Sequence, residues 1–298
     1  MSSIEFRWSF FDFISFFKIP SKLTFFALHV MPLRNLIFFL LAAAYFQSNA
    51  AFLPPIDSAN RPFGIEEELY YKIHFGWFTI GKGWVRVKND YDPEVYKVEA
   101  EGRTVGLLGI FANLEDEFSA RIQNGSLKPI EAERRIKDGR YWRNQRNKFD
   151  YREDSVHIDI RDFRDTSKNI NRKVAIDHAT LDILSSYLYL RSIDWSTKQV
   201  EDSVMIGTFY GKKTYDFGVE YAGKERIKFE GNRINTHKLY VLFPNSTVFP
   251  EDRPVTVWVT DDENQLPLKI LARLGIGKAT VELYRYKNLK FPRTYFKQ

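Results

Sequence analysis

Four consecutive oxygen-bearing side chains, Asp261-Asp262-Glu263-Asn264, offer the ligand type that a hard cation such as calcium prefers. Calcium loops space their ligands at alternate positions around a glycine, whereas neighbouring residues of a turn point in divergent directions. The cluster therefore reads as a hairpin turn whose side chains bond local amides, and no metal is assigned. Asp159, Asp162 and Asp165 could supply the paired carboxylates of a glycosidase. Closeness in sequence does not fix the separation across a cleft that this chemistry needs. His74, His157, His178 and His237 lie singly, without the i, i+4 spacing of a helical zinc site. Neither G-x-S-x-G, a Walker loop nor G-x-G-x-x-G occurs, and Gly81-Lys82-Gly83 is only a turn. With no cysteine in the chain, disulfides, thiolate nucleophiles, iron–sulfur clusters and a lipobox anchor are excluded. No catalytic residue and no cofactor is assigned.

Two denser groups remain. Arg134, Arg135, Lys137, Arg140, Arg143, Arg146, Lys148 and Arg152 alternate with Tyr141, Trp142, Phe149 and Tyr151, a mixture able to hold phosphates and stack bases. The formal charge of +6, from 44 basic and 38 acidic residues, is mild for a nucleic-acid binder, and no such partner is expected. In an exported protein the anions at hand are lipid head groups, lipopolysaccharide phosphates or acidic glycans. That makes Arg134, Arg135, Arg140, Arg143 and Arg146 candidate anion contacts. The plainer reading is a solvated hairpin face, partly balanced by Asp138 and Asp150. Aromatic residues reach 16%, and Trp77, Phe78, Trp84, Phe111, Tyr187, Tyr189 and Trp258 fall near turns or a helix. In a curved sheet they fill the core or line a pocket for an apolar ligand, with Trp77, Trp84, Tyr187 and Trp258 the candidates for the second role.

The elements that would position these groups are mostly strands. Leu69, Tyr71, Ile73 and Phe75 alternate with polar or smaller residues, as do Tyr96, Val98 and Ala100, then Phe118, Ala120 and Ile122, then Val156, Ile158 and Ile160. The segment 63–87 reads as a hairpin whose connection holds Trp77 and Phe78. Further strands are expected over Ser203–Tyr210, Thr214–Tyr221, Arg226–Glu230, Lys238–Phe243, Val255–Thr260, Leu268–Arg273 and Ala279–Tyr286. Turn signals at short intervals favour antiparallel meanders, because parallel strands need long crossovers. One helix is expected over 177–191, with Leu181, Leu184 and Leu188 on its apolar stripe, Asp177 or Thr180 as cap and Arg191 at its end. The fold class is all-β, a curved antiparallel sheet or barrel-like meander with one amphipathic helix packed on it.

At the amino terminus, the eleven-residue apolar run Leu36–Phe46 follows Arg34 and precedes Ser48-Asn49-Ala50, the pattern of a signal peptide. At 1.5 Å per residue it spans about 16 Å, short of a roughly 30 Å hydrocarbon core. Residues 1–50 are therefore read as leader and signal, with translation starting at Met31 and cleavage after Ala50; an amphipathic anchor over 4–26 is the alternative. Residues 51–62 form a short tether, 63–290 a single β domain and 291–298 a tail. At 298 residues, 44% hydrophobic and 28% charged, the chain is of ordinary globular composition, neither disordered nor a multispanning membrane protein.

The helix DHATLDILSSYLYLR, the later stretch WVTDDENQLPLKILARLGIGKATVEL and the opening ELYYKIHFGWFTIGKG together resemble an exported bacterial family, domain of unknown function 3108 (DUF3108). Asp182, the corner Trp258…Thr260-Asp261-Asp262 with Pro267, and the Ile276-Gly277 turn carry the resemblance, which spans about 63–290. It implies a signal peptide and a curved antiparallel sheet or barrel with little helix, and it supplies no catalytic residue. Function is accordingly expected to be that of a secreted or periplasmic noncatalytic module holding an envelope lipid or glycan. An enzyme acting on envelope polysaccharide and a structural partner in an envelope assembly are the alternatives. Export is the only expected link to a membrane, and oligomeric state is not legible.

Overall fold

The computed structural model describes residue 53 and residues 61–106, 114–138, 141–242, 253–274 and 277–295. The leader and signal region, most of the tether, Phe111, Arg140 and Ile276 lie outside the described residues.

The period-two alternation becomes β1 (Glu68–Phe75), β2 (Phe78–Asn89), β3 (Val95–Thr104), β4 (Leu114–Gln123), β5 (Pro129–Asp138), β6 (Tyr141–Asp150), β7 (Ser155–Asp162) and β8 (Ile170–Ala175). The second half contributes β9 (Leu181–Asp182), the helix α1 (Ile183–Arg191), β10 (Ser203–Tyr210), β11 (Lys213–Phe229), β12 (Asn232–Leu242), β13 (Val255–Thr260), β14 (Pro267–Leu274) and β15 (Gly277–Lys287). All the strands join one sheet, in the order β8 to β1 followed by β15 down to β9. Neighbours are antiparallel except β9, which runs parallel to β10. Two meanders thus leave a central β1–β15 pair in opposite directions. Register shifts at Tyr70/Tyr71, Ile73/His74, Arg121/Ile122, Tyr221/Lys224 and Trp258/Val259 bend the ribbon, as extra residues in one strand of a pair do.

The bend brings the two arms face to face. Tyr151 Oη donates to Thr180 O at 2.7 Å, Gln145 Nε2 donates to Gly211 O, and Phe149 meets Phe209 edge-on at 6.0 Å. Helix α1 is held between the arms, against β3 and β4 on one side and β9 and β10 on the other. Its Leu184, Leu188 and Tyr189 join a core with Val87, Val98, Ala120 and Ile122 from one arm and Val204, Ile206, Val219 and Leu239 from the other. A second cluster of Leu69, Leu266, Leu268, Leu283 and Tyr295 seals one end of the roll.

The helix, one strand and one turn differ from expectation. The helix begins at Ile183, because Leu181 and Asp182 pair with Thr208 and Phe209 of β10, which holds them extended. Asp182, rather than Asp177 or Thr180, caps it by accepting from Leu184 N at 3.2 Å and Ser185 N at 2.9 Å. The helix is buried on most sides, Arg191 included, instead of exposing a polar face. The strands expected at 214–221 and 226–230 are one strand, β11, bent at a bulge where Gly223 takes φ 92°. The first hairpin turns on Gly76 and Trp77 alone, with Gly76 at φ 57°, a conformation glycine adopts without steric cost, and Phe78 already belongs to β2.

Candidate functional site

Between α1 and the concave face of the sheet lies a cavity of about 360 Å³. Strand alternation sends Tyr71 and Ile73 of β1, Val85 of β2, Ala100 of β3 and Phe118 of β4 into it from one arm. Val219, Leu239, Val257, Val259 and Val281 enter from the other, and Ile183, Leu184, Tyr187 and Leu190 cover it from the helix. Gly83 and Gly102 face each other in the β2–β3 ladder, so no side chain fills that part of the wall. A Cβ at Gly83 would sit 2.7 Å from Glu101 O, a contact that backbone cannot relieve cheaply.

The wall is almost wholly apolar except at one place. Arg191, the last residue of α1, is 3% exposed and pairs with the equally buried Glu67 through Nη1–Oε1 at 2.5 Å. Its Nη2 donates to Asn264 O at 2.7 Å and Pro62 O at 3.2 Å, and Nη1 reaches Tyr187 Oη at 3.4 Å. Burial works against the guanidinium charge, but Glu67 outweighs it and holds the group above its ordinary value. Arg191 Nε is buried and makes no hydrogen bond, and the Tyr71 hydroxyl lies against that of Tyr187. Burial also pushes the Tyr71 and Tyr187 phenols upward, so both stay protonated as donors. The polar end of the cavity is therefore a group of donors beside a neutralised ion pair. It calls for an oxygen acceptor in whatever enters.

Of the aromatic candidates, Tyr187 covers this cavity from the helix, and Trp84 borders it beside Gly83 and Gly102. Trp84 follows inward Gly83 and precedes inward Val85, so its indole points to the convex face. There its Nε1 donates to Glu101 Oε2 at 3.1 Å and Arg86 stacks over it at 4.2 Å. Trp258, between inward Val257 and Val259, is directed away from the cavity yet is buried at 9% exposure, and it donates to Glu225 Oε2 at 3.2 Å. Trp77 sits at the hairpin tip, 99% exposed. Sequence reasoning missed Arg191 and Tyr71 as cavity groups and Glu67 as the buried partner of Arg191; only the parity of Tyr71 with Leu69 and Ile73 hinted at its face.

The basic run does not form one cationic face, because alternation splits it between the two faces of the β5–β6 hairpin. Arg134 turns inward to a bidentate pair with buried Asp116, at 3.0 and 2.7 Å, between the rings of Phe118 and Tyr210. Arg143 has the same parity as inward Gln145. Arg135 and Arg146 turn outward and pair with Glu133 and Glu131. The convex groove there is a ladder of cross-strand ion pairs, in which Glu117 is raised by burial and by Glu115. The residues behind the family resemblance are structural in their geometry. Asp182 caps α1. Asp261 holds His237 and Lys224 at 2.9 and 2.7 Å, and Asp262 accepts from Thr260, Asn264 N and Tyr295. Pro267 opens β14 beside the Trp258/Val259 bulge. Among the described residues no group of His, Asp or Glu could hold a metal ion, and no helix is long and apolar enough to cross a membrane.

Comparison with solved structures finds a β-barrel-like protein of domain of unknown function DUF1849 from Brucella abortus, with a TM-score of 0.48 at 5% identity, covering 75% of this chain and 97% of that one. A putative exported protein with a YmcC-like fold from Bacteroides fragilis has a TM-score of 0.33 at 11% identity, covering 76% and 98%. A DUF1089 family protein from Pseudomonas aeruginosa has a TM-score of 0.35 at 11% identity, covering 62% and 87%. No curated protein sequence matches the chain. The family described as "Protein of unknown function (DUF3108)" matches residues 70–284, well over half of the sequence, and the chain belongs to that family.

Proposed function

We propose that this protein is a noncatalytic binding module of the bacterial envelope that holds the apolar chain of a single-tailed lipid beneath α1. An acceptor oxygen of the lipid head group would sit against Tyr71, Tyr187 and Arg191. The observation that carries this reading is the cavity itself: apolar over nearly its whole wall, with buried donors gathered at one end. A glycan would find too few hydrogen-bonding groups there to replace its water, which favours lipid over sugar. At roughly 30 Å³ per heavy atom, about 360 Å³ accommodates on the order of a dozen atoms at liquid density. Export rests on the Leu36–Phe46 run with its Arg34 flank and the Ser48-Asn49-Ala50 site.

The test is displacement of a fluorescent fatty acid by a homologous series of fatty acids, their methyl esters and the matching alkanes. Affinity should rise with each methylene by about 0.8 kcal/mol until the cavity is full and then level off. Tyr71→Phe should weaken acids and esters while sparing alkanes. No displacement by any chain, or equal displacement by an oligosaccharide, would overturn the reading.

A further inference from the structure

Among the described residues few large apolar side chains are exposed to water, and four of them share one end of the strands. Trp77 and Phe78, at the β1–β2 tip, are 99% and 73% exposed; Trp142 at the start of β6 and Phe163 just after β7 are 50% and 52% exposed and stack at 4.6 Å. In an antiparallel sheet the end of β1, the start of β2, the start of β6 and the end of β7 lie along the same rim. Lys82 of β2 stands directly opposite Lys72 on one side and Arg103 on the other. Like charges in direct cross-strand register destabilise a sheet; Glu101 offsets Arg103 at 4.0 Å, whereas Lys82 has no ion pair among the described residues. The cavity is closed at the other end by Leu266, Leu268 and Leu283 at 0% exposure, whereas Val241, Ile270 and Val281, towards this rim, are partly exposed.

We propose that this rim docks peripherally on an anionic phospholipid surface, with Trp77 and Phe78 entering the interface and the Lys82–Arg103 row resting on the phosphates. Indole and phenyl rings beside cations are the side chains that partition to the headgroup level, and each basic residue near such a surface strengthens the attachment. Adjacent cations that repel one another in water are relieved when phosphates lie between them. The orientation presents the partly exposed side of the cavity to the membrane. The inference goes beyond ligand binding and does not depend on it.

Because the chain has no cysteine, Phe78→Cys creates a unique labelling site, and Tyr91→Cys, on the β2–β3 turn at the opposite strand end, provides a matched control. Each variant, purified in the form the cell produces, carries an environment-sensitive fluorophore and is mixed with vesicles containing phosphatidylglycerol or with purely zwitterionic ones. Anionic vesicles should blue-shift the label at 78 and protect it from an aqueous quencher, leave the label at 91 unchanged, and lose their effect at high salt or with Lys82→Glu/Arg103→Glu. Three results would overturn the proposal: no shift at 78, equal shifts at both positions, or a shift at 78 that needs no vesicles and grows with protein concentration. The last would identify a second copy as the occupant.

Discussion

Ala100 lines the cavity from β3, opposite Val85 and Phe118, and its methyl group faces space that no side chain fills. Ala100→Leu adds three carbons. At about 0.8 kcal/mol per buried methylene they contribute about 2.4 kcal/mol of apolar burial, reduced by about 0.5–1 kcal/mol of rotamer entropy. The folded state should therefore be stabilised by about 1–2 kcal/mol. The same three carbons take roughly 90 Å³, about a quarter of the cavity, and exclude about three methylenes of a bound chain. Ligand affinity should fall roughly 50-fold. Ala120→Leu is the contrast, since Ala120 is 2% exposed among Val98, Ile122 and Ala132 with no such space; overpacking there should destabilise by about 1–3 kcal/mol. Urea unfolding read beside fatty-acid displacement separates the two effects. If Ala100→Leu destabilises as much as Ala120→Leu, the space is not available for filling. If it leaves affinity unchanged, the ligand does not bind there.

Further expectations follow from the groups around the cavity. Glu67→Gln leaves the Arg191 charge buried without its partner and should lower stability by about 3–5 kcal/mol, measured by urea unfolding. Asp182→Ala removes the carboxylate that accepts from two amides at the start of α1 and should destabilise by about 1–2 kcal/mol, while Asp182→Asn, which keeps one acceptor oxygen, should lose less; thermal unfolding checks the order. Burial lowers His237 below its ordinary value, only partly opposed by Asp261. The unfolded chain therefore binds more protons, so stability present above about pH 6.5 should decline as pH falls below it, and His237→Gln should flatten that slope in unfolding measured across the range.

The alternation that defines the sheet was readable in short windows, because a half-buried strand repeats every two residues and its turns carry their own residue types. Which face is inside was harder. Trp84 and Trp258 invite placement in the cavity by size, yet each indole finds a glutamate acceptor on the opposite face, Trp84 on the next strand and Trp258 two strands away. The parity of Val85 with Val87, and of Val257 with Val259, contained the correct answer. The start of α1 was misplaced because the pairing of Leu181–Asp182 with β10 is tertiary and leaves no local mark. The Arg191–Glu67 pair joins residues 124 apart, which no spacing rule reaches. The split of the basic run, in contrast, was implicit in its alternation: strand residues one apart point to opposite faces.

If the space beneath α1 holds an apolar chain, that chain should travel with the protein out of the cell. Native mass spectrometry of protein taken directly from cells, followed by solvent extraction and identification of what is released, tests it most directly. A noncovalent adduct of lipid mass is expected, lost from Ala100→Leu and retained by Trp84→Ala, whose indole lies on the other face. Bare protein alone, or an adduct equally abundant in Ala100→Leu, would contradict it.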